Sequence, residues 1–152
     1  MAELSNENNK KRCLCEALIE LKSLQDFLTY SSTKYFGKLL PKIVGTDTIP
    51  FLLLTKDGLL ELKDNAENHN DEDESFKTTF FRIETIDEEK CSVTLSLLHP
   101  LNMEGEASLD LCDVIKLTKT SIIKEIDLKD ICAIQTLDTE LLKRKIIIEP
   151  KW

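Results

Sequence analysis

The cleanest alternation of apolar and polar positions lies between Phe76 and Leu98. Cys91, Val93, Leu95 and Leu97 fall on one side and Ser92, Thr94 and Ser96 on the other, the period-two pattern of a strand with one buried face. Phe81 and Ile83 against Arg82 and Glu84 repeat it upstream. The charged Asp87-Glu88-Glu89-Lys90 between the two runs cannot enter a core, so the stretch predicts an antiparallel hairpin. A lone hairpin is not stable in water, and the rest of the chain must cover its apolar face.

One segment supplies a helical period. Leu14, Ala17, Leu18, Leu21, Leu24 and Leu28 recur at steps of three and four, predicting an amphipathic helix from about Arg12 to Leu28. Its stripe covers a sheet or meets a second copy of itself, and covering is the commoner outcome. The asparagine-rich residues 1–11 read as a flexible polar tail. Residues 29–48 read as loops with one short element around Lys38 to Val44. The apolar run Ile49 to Thr55 reads as a strand buried on both faces, with Pro50 near its start. Lys56-Asp57-Gly58 is a turn signal, and Leu59 to Leu62 returns as a second strand.

Lys63 to Ser75 is acidic and almost without apolar residues, a solvated loop. Asp71, Asp73 and Glu74 offer hard oxygens, but the glycine turn and ligand spacing of a twelve-residue calcium loop are missing. His99-Pro100 ends the hairpin's second strand. Further strands are predicted within 109–118, at Ile122 to Leu128 and at Ile131 to Leu137, with a turn at Thr118-Lys119-Thr120. A short polar-flanked piece, Leu141 to Arg144, precedes a final run, Ile146-Ile147-Ile148. About seven short strands and one N-terminal amphipathic helix predict a mostly β fold, an antiparallel sandwich or barrel, in a single domain over residues 12–152. Open sheet edges then become assembly-prone, and the isoleucine run is the candidate edge.

Composition narrows the function. A chain of 152 residues suffices for one domain with a real core. It carries no apolar run of membrane-spanning length and no signal peptide pattern. The net charge of -8 argues against nucleic acid and anionic membranes as partners. Four glycines and two histidines leave little for phosphate loops, histidine catalysis or histidine metal sites. No serine elbow or cysteine–histidine motif is present, so the expectation is a non-enzymatic domain without cofactor. Five cysteines leave at least one that cannot pair within its own chain. Cys13 and Cys15 lie about 200° apart on a helix, so at least one thiol points outwards. Cys91 reads as a small core residue, and Cys112 and Cys132 stay open between core and reactive roles.

Four segments together resemble a known family. They are Cys13-Leu14-Cys15 with Leu24-Gln25-Asp26, Asp47-Thr48-Ile49-Pro50-Phe51, Phe76 through Leu98, and Cys112 to Leu117 followed by Ile126-Asp127-Leu128 and Cys132-Ala133-Ile134-Gln135. In that order they are similar to the CotY/CotZ/ExsY family of spore coat and exosporium proteins. The resemblance implies a structural role: self-assembly into ordered two-dimensional arrays, locked by disulfides between chains. It also implies synthesis in the mother cell, deposition on the forespore, and other coat proteins as partners. Cys13, Cys15, Cys112 and Cys132 are then the candidate intermolecular thiols. Leu14, Leu18, Leu21, Ile146, Ile147 and Ile148 are the candidate assembly contacts. The family's last matched strand tends to carry flanking cysteines where this chain has Asp130 and Thr136, which implies sparser cross-linking. The alternative role is an adaptor that docks other coat proteins.

Overall fold

Helix α1 runs from Ala2 to Thr29 and lies across one face of a curled β-sheet. The computed structural model describes residues 2–29, 35, 39, 43, 46–63, 76–137 and 147–148. The strands are β1 (Phe51–Thr55), β2 (Gly58–Leu59), β3 (Leu62–Lys63), β4 (Lys77–Thr78), β5 (Phe81–Asp87), β6 (Ser92–Leu101), β7 (Lys116–Asp127), β8 (Ala133–Thr136) and β9 (Ile147–Ile148). Seven form one sheet in the order β2-β1-β5-β6-β7-β9, with β8 on the other side of β1, and β3–β4 make a small separate ladder. All its pairs are antiparallel except β7 with β9, and the sheet curls into a half-barrel.

The central hairpin is the one expected from the alternation. Phe81 pairs with Leu97, Arg82 with Ser96 and Ile83 with Leu95. Asp87 Oδ1 accepts the backbone N–H groups of Glu89 (3.0 Å) and Lys90 (3.2 Å) and shapes the turn between the strands. The apolar side of the hairpin carries Phe81, Ile83, Val93, Leu95 and Leu97, all buried with Phe51 and Leu53 of β1 under Cys15, Leu18 and Leu21 of α1. Leu52, on the other face of β1, joins a second cluster of Phe80, Leu98, Val114 and Leu117. The apolar run at β1 is therefore buried on both faces, as its composition predicts.

The helix begins ten residues before the predicted start at Arg12. No glycine or proline stops it between Ala2 and Thr29, and Lys11 Nζ reaches Asp127 Oδ1 at 3.1 Å. The stretch expected as a flexible tail thus continues the helix from Ala2. The docked stripe is also rotated from the expected one. It runs through Cys15, Leu18, Leu21 and Gln25, while Ala17 and Leu24 face outwards.

Gln25 sets that rotation. Strands β1 and β5 pair through Phe51 and Phe81, and their ladder continued would set Ile49 opposite Ile83. The Gln25 amide takes the place of that rung: its Oε1 accepts from Ile49 N at 3.2 Å, and its Nε2 donates to Ile83 O at 2.9 Å. A side-chain amide has the same donor and acceptor as a peptide group, so both backbone groups are satisfied where the strands diverge.

Three other expectations change. Residues 116–127 form one strand, because Thr118-Lys119-Thr120 contains no breaker and two β-branched residues that suit a pleated surface. A register shift between Ser96 and Leu98 keeps that long strand in phase with β6. Strand β6 runs through His99-Pro100 to Leu101, where Phe76 stacks on His99 with ring centroids 4.2 Å apart. The isoleucine run is not a free edge on both sides: Ile147 and Ile148 pair in parallel with Lys116 and Leu117 of β7. The element around Lys38 to Val44 (apart from Leu39 and Ile43), the acidic loop after Lys63, Leu141 to Arg144 and Ile146 lie outside the described residues.

Replacing Gln25 with Ala leaves the part-buried Ile49 N–H and the buried Ile83 C=O without this partner. Urea unfolding of Gln25→Ala should show a loss on the order of 3 kcal/mol, since each unsatisfied backbone group costs about 1–3 kcal/mol.

Candidate functional site

On the face of the hairpin away from α1, the polar alternation builds a connected charge network. Ser96 Oγ donates to Glu84 Oε1 at 2.7 Å, and Arg82 Nη1 reaches the same oxygen at 2.8 Å. Arg82 Nε donates to Thr48 Oγ1 at 3.0 Å, and that hydroxyl donates to Asp47 Oδ1 at 3.0 Å. Lys119 of β7 closes the chain with an ion pair to Asp47. The side chains of Lys119 and Asp47 are only 5% and 12% exposed, so two charges with little water balance each other. Burial alone would raise the Asp47 carboxyl, but the Lys119 hydrogen bond and charge, then Thr48 and Arg82, hold it below the usual carboxylate range.

The network lines a cavity of about 240 Å³ with Thr120. Two acids and two bases in it cancel, and every charged head has a partner. Such an arrangement fixes the strand register and the approach of residues 46–48, and it presents no unengaged base or nucleophile. Among the described residues, no group of three histidine, cysteine or carboxylate side chains is placed to hold a metal ion.

The cysteines occupy five different settings, and none is bridged. Cys13 is exposed on α1 and Cys112 is exposed in a turn, where Asp110 Oδ1 accepts its N–H at 3.0 Å. Cys132 is partly covered and donates its N–H to Leu54 O at 2.6 Å. Cys15 is 4% exposed, inside the core, and the half-buried Cys91 packs against the same core cluster. Of the two helix thiols, one does point outwards, as the 200° separation requires. The candidate intermolecular set is thus divided: Cys13 and Cys112 are accessible, Cys132 is half-buried, and Cys15 is not accessible. Leu18 and Leu21 are likewise spent on this chain's own core, and Leu14 packs at its margin. Their helical period was legible, but which side of the stripe meets the sheet was not.

The opposite side of α1 carries the surface that sequence reading passed over. Cys13, Ala17, Glu20, Leu24 and Phe27 follow one another at steps of four, three, four and three, and all are exposed. Leu24 is 53% and Phe27 66% exposed, large values for such side chains on an ordered helix. That spacing sets them on one side of the helix. At the other end of α1, Lys10 and Lys11 join Lys56, Lys129, Asp57, Asp130 and Cys132 around an open hollow of about 610 Å³. The hollow is lysine-rich in a chain of net charge -8.

Comparison with known proteins settles the relationship. The sequence profile of the family described as Spore coat protein Z matches residues 2–139. The chain belongs to the spore coat protein Z family. Spore coat protein Z of Bacillus subtilis (strain 168) is 31% identical over 141 residues, covering 87% of this chain and 93% of the relative. No solved structure matches. The family match spans α1, the charge network and all five cysteines, and stops before β9. Membership in this coat family supports a structural role in the spore coat.

The buried pair gives a pH-dependent contribution of defined sign. Because the folded Asp47 carboxyl sits below its ordinary value of 3.8, the stability it adds is complete above that pH and disappears as pH falls through the lower folded value. Asp47→Asn removes the carboxylate paired with Lys119 at a site with little water and should cost about 3 kcal/mol near neutral pH. The gap between variant and parent, followed by urea unfolding, should narrow as pH falls below 3.8.

Proposed function

We propose that this chain is a self-assembling structural protein of the outer spore coat or exosporium, made in the mother cell and deposited on the forespore. Copies join first through non-covalent contacts along the outer face of α1. Disulfides between chains reinforce the assembly later, when the released coat meets an oxidising setting. The observation that carries this reading is the exposed Cys13, Ala17, Glu20, Leu24 and Phe27 seam. A helix whose inner face is already used by its own sheet has no further intrachain use for Leu24 and Phe27, the large apolar side chains it exposes among Arg12, Glu16 and Glu20. Cys13 lies on that same face, so two copies that meet there bring thiols near each other.

The charge network suits the same role, because a lattice subunit must hold its shape and Asp47, Arg82, Glu84 and Lys119 lock the sheet on the side away from α1. A second reading, an adaptor that docks other coat proteins, is supported by the lysine-rich hollow beside Cys132. An acidic partner segment complements it.

Size-exclusion chromatography with light scattering separates the readings. The parent chain should form assemblies that survive reductant, and Leu24→Glu with Phe27→Glu should shift them to monomer without changing the circular dichroism spectrum. Cys13→Ser should assemble normally but lose resistance to boiling without reductant. A parent that stays monomeric at all concentrations would overturn self-assembly and leave the adaptor.

A further inference from the structure

Cys91 sits at the end of the β5–β6 turn in the left-handed region, with φ of +50°. Among the described residues it is the only non-glycine at positive φ. Glycine or asparagine is usual there, since a Cβ is disfavoured in that conformation. A residue kept in a disfavoured backbone state points to a use for its side chain. The side chain packs against the core cluster that contains Cys15, close enough that the two thiols act on each other electrostatically. A further weak contact runs from Cys91 Sγ to Glu88 O at 3.7 Å. Two thiols from elements far apart in sequence are thus held together across the helix–hairpin interface.

We propose that Cys15 and Cys91 form an intrachain disulfide that fastens α1 to the tip of the β5–β6 hairpin. The oxidant is a small disulfide such as oxidised glutathione. Cys91 is the more exposed thiol and reacts first. Its thiolate attacks one sulfur of the small disulfide, whose S–S bond breaks and releases one thiolate. The Cys15 thiol then gives up its proton, and its sulfur attacks the Cys91 sulfur of the mixed disulfide and expels the second small thiolate. Two protein thiols are oxidised, one small disulfide is reduced, and the two protons end on the two released thiols. Burial first, then the neighbouring Cys91 thiol, push the Cys15 thiol up to about 12, so Cys15 is the less reactive of the pair and its attack is the slower, second step.

The bond changes the roles of the other cysteines. With Cys15 and Cys91 joined, Cys13, Cys112 and Cys132 remain for links between chains. The ring it closes contains β1 and β5, so oxidation constrains the unfolded chain strongly.

The test is non-reducing peptide mapping. Trypsin leaves Cys13 and Cys15 on one peptide, and Cys91 and Cys112 on another. The full chain carrying Cys13→Ser and Cys112→Ser, both at exposed positions, removes that ambiguity. It is incubated with oxidised glutathione, free thiols are alkylated, and the monomer band of a non-reducing gel is digested. The expected product is peptide 13–22 joined to peptide 91–116, lost in the further variant Cys91→Ser. The oxidised monomer should melt on the order of 10 °C above the reduced one. Alkylation of both Cys15 and Cys91 after oxidation, or a link from either to Cys132 or to a second chain, would overturn the proposal.

Discussion

The structure depends on a single side-chain amide placed where two strands separate. Gln25 supplies the rung that β1 and β5 would have made between Ile49 and Ile83. Without it, two backbone groups under the helix would be buried and unpaired. With it, α1 is hydrogen-bonded into the sheet at one position and oriented along its whole length. Cys15, Leu18 and Leu21 then face the core as a consequence.

The same rotation decides what the helix shows to solvent. A stripe centred on Leu14 and Leu24 would have left charged residues outside, the ordinary surface helix. The stripe through Cys15 and Gln25 leaves Cys13, Ala17, Leu24 and Phe27 exposed as well, among Arg12, Glu16 and Glu20. One glutamine therefore couples the fold of the chain to the surface that α1 shows to solvent. On the far side of the sheet, the Asp47 to Ser96 network anchors residues 46–48, the segment that delivers Ile49 to Gln25. The two sets of hydrogen bonds meet on adjacent residues, Thr48 and Ile49.

Much of this was written in local pattern. The hairpin, its turn, the doubly buried β1 and the existence of α1 all follow from period and turn residues, because each depends on neighbours in sequence. The rotation of α1 did not follow, since Cys15 and Gln25 compete with Leu14 and Leu24 for the buried face and only long-range partners decide. Gln25 on an otherwise apolar stripe was the available signal. Residues 116–127 make one strand although the polar Thr118-Lys119-Thr120 interrupts the apolar pattern, because threonine favours strands. Asp47 with Lys119 and Cys15 with Cys91 are separated by most of the sheet, so no spacing rule could unite them. The family resemblance was legible in the matched segments, while the outward face of α1 was hidden by the same uncertainty in helix rotation.

Native-state hydrogen exchange, read amide by amide, tests most directly whether α1 is a fixed part of the sheet. The account predicts that Ile49 N–H and the amides of residues 15–25 open only with the β5–β6 ladder, at the free energy of global unfolding. Free exchange of Ile49, or exchange of the helix well below the level of the β5–β6 amides, would contradict it. In that case α1 would be a detachable arm, and its inner stripe would be as available to other chains as its outer one.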